Sequence, residues 1–481
     1  MECVIRSKRR TLAGIAWLVP CAGILLADHA ALGSAEAPRP QDSRHYIAPI
    51  ESEFSQLPGS RPTYRWVGVL DGAAYRIEVP QTGWNGSLVM WTHGYLGNVP
   101  NLRVGDPLLR QHLIERGYAW AASSYSKNGY DVRAGIEDTN QLALAFARLA
   151  RARKVILPAP KQYFIVGISM GGHIAAAAVE QETLADARHK VHYAGALPMC
   201  GVLGDTQLQN YFAAYHLAAM QLAGRPAQAF PIQDWNALKS MIQASLWSNF
   251  PAQTTERGDR LKGIAMNLSG GARPFFAEGY ADPSLQENLW SVGGRDGTFD
   301  GVLKGSAVDT QRIVYRFGAE SGPPSDEDLA FNAGIVRAVP EPDANRRRRD
   351  GLRWVPQVQG DFDVPVLTLH TLGDIYVPIV MEQIYRARAQ THHRDGLLVQ
   401  RVIRDVGHCA FTEAEADEAF DDLTSWVDGG SRPQGDDVLA PATLAEPTAG
   451  CRFTRNRPGA YDYADPKQRA QRQAHYPPCP S

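Results

Sequence analysis

The stretch YFIVGISMGGHIAAAA (Tyr163–Ala178) runs from a β-branched apolar segment directly into an alanine-rich helical pattern, with one serine between glycines at the joint. Gly167-Ile168-Ser169-Met170-Gly171 fits G-x-S-x-G. Two readings compete. The joint is an ordinary strand-to-helix turn that needs small residues, or it forces Ser169 into an unfavourable backbone conformation that lifts its hydroxyl clear. Small residues two positions to either side are what the second reading requires. So are a strong strand before the serine and a helix after it, and the sequence has both. The helix start adds partial positive charge and free N–H groups where an oxyanion would develop. Ser169 is therefore the candidate nucleophile.

A serine hydroxyl needs a base, and the base needs an orienting carboxylate. HTLGDIYVP places Asp374 just past one apolar strand, and RDVGHCAF places His408 just past the next. In a parallel sheet, the loops after the strands share one edge. Ser169, Asp374 and His408 can thus meet as nucleophile, orienting acid and general base. Asp405, Asp361 and Asp363 are rival acids, although Asp405 is too close in sequence to His408 to approach it easily. Asp374 could instead cap the following helix, and His408 could be a structural loop residue. The expected oxyanion donors are the N–H of Met170 and, from WTHGYLG (Trp91–Gly97), the N–H of Tyr95, with Gly94 allowing the turn. His93, His173 and His370 read as buttresses.

Outward from the elbow, strand and helix patterns alternate. YRWVGVL and AAYRIEVP flank a DGA hairpin signal, and GSLVMWTHGY, YAWAASSYS, KQYFIVG and HYAGALPMCG read as strands. LLRQHLIERG and GIEDTNQLALAFARLARARK read as helices, the second burying Leu142, Leu144, Phe146 and Leu149. The alternation stops near Leu203 and resumes with VPVLTLHTLGD, VPIVMEQIYRARA, LLVQRVIRD and FTEAEADEAFDDLTSWV. The implied fold is α/β: a mostly parallel sheet with helices on both faces, in two parts (36–204 and 361–430). Residues 205–360 read as a large, mainly helical cap. Its pattern YFAAYHLAAMQLAG aligns Tyr211, Tyr215, Ala218 and Leu222 on one face, and it carries Trp235, Trp247, Trp290, Phe275 and Phe276. These aromatics either line a cleft for a bulky substrate or pack the cap's own core. Asn345–Asp350 (NRRRRD) reads as a solvated loop or as a patch for an anionic substrate. Residues 431–481 lack periodicity and, alone, would be disordered.

The chain has 481 residues, 44% hydrophobic, 21% charged, with a net charge of −2. That balance gives no electrostatic reason to expect nucleic acid or an anionic membrane surface as a partner. A basic start, an apolar run and small residues make residues 1–35 a candidate signal peptide, with cleavage after Ala35 or Ala37; a membrane anchor is the rival reading. KRRTLA is a weak twin-arginine match and LVPC a poor lipobox. An exported chain would be secreted or periplasmic. Of six cysteines, Cys3 and Cys21 would leave with the leader. Cys200, Cys409, Cys451 and Cys479 then allow three disulfide pairings. The sequence shows no metal-ligand spacing: His392–His393 has no evident third ligand. GVLGD and SVGGRDG are lone turns rather than phosphate loops, and no cofactor is implied. The oligomeric state is not legible.

HGYLG, GISMGG, GDIYVP and GHCAF, in that order, resemble the α/β-hydrolase superfamily over roughly Tyr64–Leu203 and Val364–Gly429. The histidine followed by cysteine is similar to the tannase and feruloyl-esterase group, in which a disulfide ties the nucleophile loop to the histidine loop. Ile168 precedes Ser169 here, so that tie cannot form. The resemblance then leaves Cys200 for Cys409 and pairs Cys451 with Cys479. It implies an exported serine hydrolase acting on small-molecule or polymeric carboxylic esters. An aminopeptidase-type enzyme would need acidic cap groups such as Glu278, Asp282 or Glu287, and a non-catalytic binding protein is the third reading.

Overall fold

A computed structural model describes residues 54–318 and 322–479. The candidate leader, with Cys3 and Cys21, lies outside the described residues. The first sheet part comprises β1 (Thr63–Leu70), β2 (Ala73–Pro80), β3 (Ser87–Thr92), α1 (Arg110–Glu115), β4 (Ala119–Ser123), α2 (Val132–Ala152), β5 (Gln162–Ile168), α3 (Met170–Ala178), α4 (Gln181–Asp186) and β6 (Gly195–Met199). An excursion follows: α5 (Gln207–Leu222), α6 (Trp235–Leu246), the ribbon β7 (Trp247–Asn249) and β8 (Gln253–Thr254), α7 (Glu256–Leu268), α8 (Phe276–Tyr280), α9 (Pro283–Ser291) and α10 (Asp326–Gly334). The sheet resumes with β9 (Val366–Thr371), α11 (Val380–Thr391), β10 (Leu398–Ile403) and α12 (Glu413–Val427). The tail carries α13 (Pro441–Ala445) and α14 (Pro466–Gln473).

The eight-stranded sheet has the order β1-β2-β4-β3-β5-β6-β9-β10. Its last six strands are parallel; β1 and β2 run antiparallel at one edge. Asp71 and Gly72 join β1 to β2 at φ 46° and 88°, the left-handed pair that a two-residue hairpin turn requires. Along β3, Leu88 and Met90 face a core shared with α2, α3 and α11, while Val89 and Trp91 face a core shared with α1 and α12. Every residue of β3 is buried, as expected for a central parallel strand covered on both faces.

Two helix faces differ from the pattern. Leu144 in α2 is 52% exposed, whereas Leu142 and Phe146 are buried; the helix packs on Ile174 of α3 through Gly135, which leaves Leu144 on the solvent side. Helix α5 is buried around almost its whole circumference, from Leu208 to Met220, and Leu222 is only partly buried. Its aromatic and alanine positions are covered by the turn after β9, where Tyr211 Oη donates to Ile375 O at 2.7 Å and Phe212 stacks on Tyr376, and by helices α6 and α7, so no single apolar stripe describes it.

The excursion's large aromatics pack inward. Trp235 stacks on Trp290 at 5.3 Å, and His216 caps the pair edge-on while its ring nitrogens face the carbonyls of Phe212 (2.6 Å) and Leu289 (3.0 Å). Trp290 and Phe275 are fully buried. These residues form a core; they do not line a cleft. In the NRRRRD run, Arg347 pairs with Asp186 at 2.6 Å and Arg348 lies over the Trp354 ring at 3.9 Å. Disulfides join Cys200 to Cys409 and Cys451 to Cys479, each with Cα atoms 5.2 Å apart. Among the described residues, no helix is long and apolar enough to cross a membrane.

Candidate active site

Ser169 sits between β5 and α3 at φ 55°, ψ −120°, a conformation that costs a non-glycine residue about 1–3 kcal/mol. The surroundings impose it. A Cβ at Gly167 would lie 2.0 Å from Thr92 Oγ1, and one at Gly171 would lie 2.0 Å from the Thr92 carbonyl oxygen. The glycines therefore let the end of β3 press against the turn. Thr92 Oγ1 donates to the carbonyls of Gly171 (2.8 Å) and Val166 (3.1 Å), and Ser169 N–H donates to Met199 O (3.0 Å). The turn is held from both neighbouring strands.

The loops after β9 and β10 bring the other two groups to the same edge. His408 Nε2 lies 2.9 Å from Ser169 Oγ, and His408 Nδ1 lies 2.6 Å from Asp374 Oδ2. Asp374 is fully buried. Its second oxygen accepts the N–H groups of Tyr376 (2.8 Å) and Val377 (3.0 Å). With the Asp374 oxygen accepting a hydrogen bond from Nδ1–H, Nε2 presents its lone pair toward the serine. Asp374 holds the turn at Tyr376 and Val377 but does not cap the following helix: α11 starts at Val380 with Ile379 at its N-cap and no side-chain cap.

The rival acids lie elsewhere. Asp405 pairs with Arg469 (2.6 Å) and Arg472 (3.3 Å) of the tail. Asp361 and Asp363 face Arg394. His93 stacks on Tyr125 at 4.2 Å, and burial lowers its pKa. His173 bridges Tyr130 (3.0 Å) and the Pro356 carbonyl (2.7 Å) beneath the elbow; burial lowers its pKa too. His370 reaches the Val377 carbonyl at 2.8 Å, which steadies the turn that orients Asp374.

Met170 opens α3, so its N–H has no partner within the helix. The Gly94–Tyr95 loop crosses over the serine: a Cβ at Gly94 would come 3.2 Å from Ser169 Cβ. Gly94 does not adopt a left-handed φ; its glycine is needed for close approach rather than for a turn. Among the described residues no partner is found for the Tyr95 or Met170 amide, and both belong to the segments that bracket Ser169 Oγ. Glu278 accepts from Tyr476 Oη (2.6 Å), and Asp282 caps α9 and pairs with Arg472 (2.6 Å). Those two acids are engaged by the tail. The sulfurs of Cys200 and Cys409 next to His408 are joined to each other, so they offer no thiolate to a metal.

Several site residues were not legible in sequence. Tyr376 meets the His408 ring edge-on at 5.7 Å and stacks on Phe212 at 5.5 Å. Tyr130 links Tyr95 (6.4 Å) to Phe299 (5.4 Å). Arg295, within the SVGGRDG turn, lies 5.9 Å from the Tyr95 ring centre and 3.7 Å from Asp300 Oδ1. Only the Tyr following Asp374 by two residues carried a local signal; Tyr130 comes from the loop before α2, and Phe212, Phe299 and Arg295 come from the excursion, where nothing in the pattern marks a direction.

No family model matches the chain. It is 23% identical to an o-phthalyl amidase of Xanthobacter agilis, over 80% of this chain and 92% of that one. Among solved structures it is similar to feruloyl esterase B from Aspergillus oryzae (13% identity, 80% of this chain and 86% of that chain, TM-score 0.43). It is also similar to an acylaminoacyl peptidase of Pyrococcus horikoshii (10% identity, 73% of this chain and 38% of that chain, TM-score 0.32). With a mostly parallel sheet of this strand order, a strained serine turn after its central strand, and the acid and histidine following in that order at the same sheet edge, the chain has the α/β-hydrolase fold.

Proposed function

We propose that the protein is a serine hydrolase that cleaves carboxylic esters through an acyl-enzyme on Ser169. The observation that carries this reading is the pair of distances at His408, 2.9 Å to Ser169 Oγ and 2.6 Å to Asp374 Oδ2. His408 Nε2 takes the Ser169 proton as Oγ attacks the carbonyl carbon, and Asp374 stabilises the resulting imidazolium. The N–H groups of Tyr95 and Met170 receive the oxyanion. His408 then gives its proton to the leaving alkoxide as the C–O bond breaks. Water, deprotonated by the same nitrogen, attacks the acyl-serine; the tetrahedral intermediate collapses, and the proton returns to Ser169 Oγ.

The partly exposed rings of Tyr95 and Tyr376, the latter edge-on to His408, support a bulky or aromatic substrate. Amides belong in the same test, because the Xanthobacter agilis relative is named as an o-phthalyl amidase. Two disulfides and the leader-like N-terminus support a secreted or periplasmic enzyme. The test is a panel of esters and amides hydrolysed by wild type and Ser169→Ala, with fluorophosphonate labelling and mass mapping of the adduct. The expected result is an adduct on Ser169 and a turnover loss of roughly 10⁴–10⁶ in the variant, with an unchanged circular-dichroism spectrum. Retention of a tenth of the activity, or labelling elsewhere, overturns the reading.

A further inference from the structure

The mechanism above uses a backbone amide of Tyr95 and leaves its side chain unexplained. That phenol sits in a small polar cluster with Arg295 and Asp300. Asp300 raises its pKa and Arg295 pulls it the other way; with burial as the largest cause, the result is about 12. Tyr376, which touches the His408 ring, feels the same two charges. Arg295 and Asp300 therefore lie beside the catalytic groups.

The two partners of this pair are unlike. The Asp300 side chain is 8% exposed and that of Arg295 is 32% exposed, with 3.7 Å between them. That separation is beyond a direct hydrogen bond, so Asp300 holds the guanidinium by charge without consuming its donors. Phe299 and Asp300 are both left-handed, at φ 54° and 60°, a backbone cost of the kind retained at functional positions. The turn holds Asp300 inward and leaves Arg295 partly exposed beside Tyr95. Arg295 hydrogen-bonds the Tyr95 phenol, and the remaining N–H groups of its planar guanidinium match a carboxylate in a bidentate fashion. Tyr95 carries both the proposed oxyanion amide and the ring beside Arg295, which puts the guanidinium near the proposed site of the scissile carbonyl.

Building on the proposed serine hydrolysis, we propose that Arg295 binds a free carboxylate on the acyl half of the substrate, so that the preferred substrates are half-esters or half-amides of dicarboxylic acids. Arg295 is a specificity-determining residue; it takes no proton and forms no bond to the reacting carbon.

Two measurements test this. In the first, Ser169→Ala protein is titrated calorimetrically with monoethyl phthalate and with ethyl benzoate, with and without Arg295→Gln. The half-ester is expected to bind more tightly than the neutral ester, and Arg295→Gln to weaken it roughly 10–100-fold. In the second, the ratio of kcat/KM for the two esters is compared in wild type, Arg295→Lys and Arg295→Gln. The ratio is expected to fall by a similar factor in Arg295→Gln and less in Arg295→Lys. Equal binding of both esters, or an unchanged ratio, overturns the carboxylate site. If the half-ester binds in an Arg295-dependent way and is not turned over by wild type, the site stands and the hydrolase reading fails. If both esters are turned over through Ser169 at a ratio insensitive to Arg295, the hydrolase reading stands and the site fails.

Discussion

The disulfide between Cys200 and Cys409 is the covalent strap of the candidate active site, and its removal is the perturbation with the sharpest consequence. Cys409 follows His408 and adopts φ 59°; Cys200 follows β6 and adopts φ 43°. The end of β6 also accepts the N–H of Ser169 through Met199 O at 3.0 Å, and Cys200 N–H donates to Leu369 O at 2.7 Å. One bond therefore ties the platform of the nucleophile to the loop of the base, and it holds two residues in backbone conformations costing about 1–3 kcal/mol each. The cross-link closes a separation of 209 residues, for which chain-entropy bookkeeping gives about 5 kcal/mol. At this chain length that corresponds to a Tm lower by roughly 5 °C. With the strap gone, Cys409 is expected to relax out of φ 59°, displacing the imidazole on the order of 1 Å, which costs about 100-fold in rate. The variant is Cys200→Ser/Cys409→Ser. The assay is the second-order rate of fluorophosphonate labelling at Ser169, with Tm from calorimetry. As a control, Cys451→Ser/Cys479→Ser opens a 28-residue separation worth about 3.5 kcal/mol in the same bookkeeping and leaves that strap intact. A first variant that labels within twofold of wild type and melts within 1 °C of it would refute the reasoning.

Other consequences are equally direct. Arg469 of α14 is 2% exposed and brackets the histidine loop, reaching Asp405 (2.6 Å), Glu415 (2.9 Å) and the Ala410 carbonyl (2.9 Å). Arg469→Met should cost about 3–5 kcal/mol near neutral pH. Burial already raises the Glu415 pKa, and Arg469 opposes that rise; without the arginine the folded pKa climbs further above the unfolded one. The penalty should therefore be smallest near pH 4 and grow as pH rises, which urea melts at pH 4.5 and 8 will show; an equal penalty at both contradicts it. Gly171→Ala drives a Cβ to within 2.0 Å of the Thr92 carbonyl. It should abolish phosphonate labelling and lower Tm by several degrees, and normal labelling would disprove the packing account. Asp138, whose Oδ2 accepts Ser126 N–H at 2.6 Å, is pushed up to about 6 by burial. A raised folded pKa contributes stability that is present below the unfolded value near 4 and lost as pH climbs through about 6. Asp138→Asn should flatten that fall in a pH series of thermal melts, and an unaltered slope would count against it.

Much of the sheet was readable because its physics is local. The apolar run Phe164–Val166 next to an alanine helix, the Asp71-Gly72 turn, and the strand ends before Asp374 and His408 each obey a short-range rule that tertiary contacts then reinforce. The Ser169, Asp374 and His408 positions followed from that regularity, since parallel strands deliver their following loops to one edge. Leu144 and helix α5 were not readable, because burial there depends on which neighbour arrives at which face. The same limit governs the excursion. Trp235 and Trp290 look like substrate aromatics and pack with each other. Arg295 lies in what reads as a plain glycine turn and ends beside Tyr95. Spacing along the chain determined the elements and the order of the chemical groups. Side-chain identity at the cleft wall, the 2.9 and 2.6 Å contacts of His408, and the choice among rival acids were decided only by folding, because they depend on the meeting of segments whose separation in sequence carries no periodic signal.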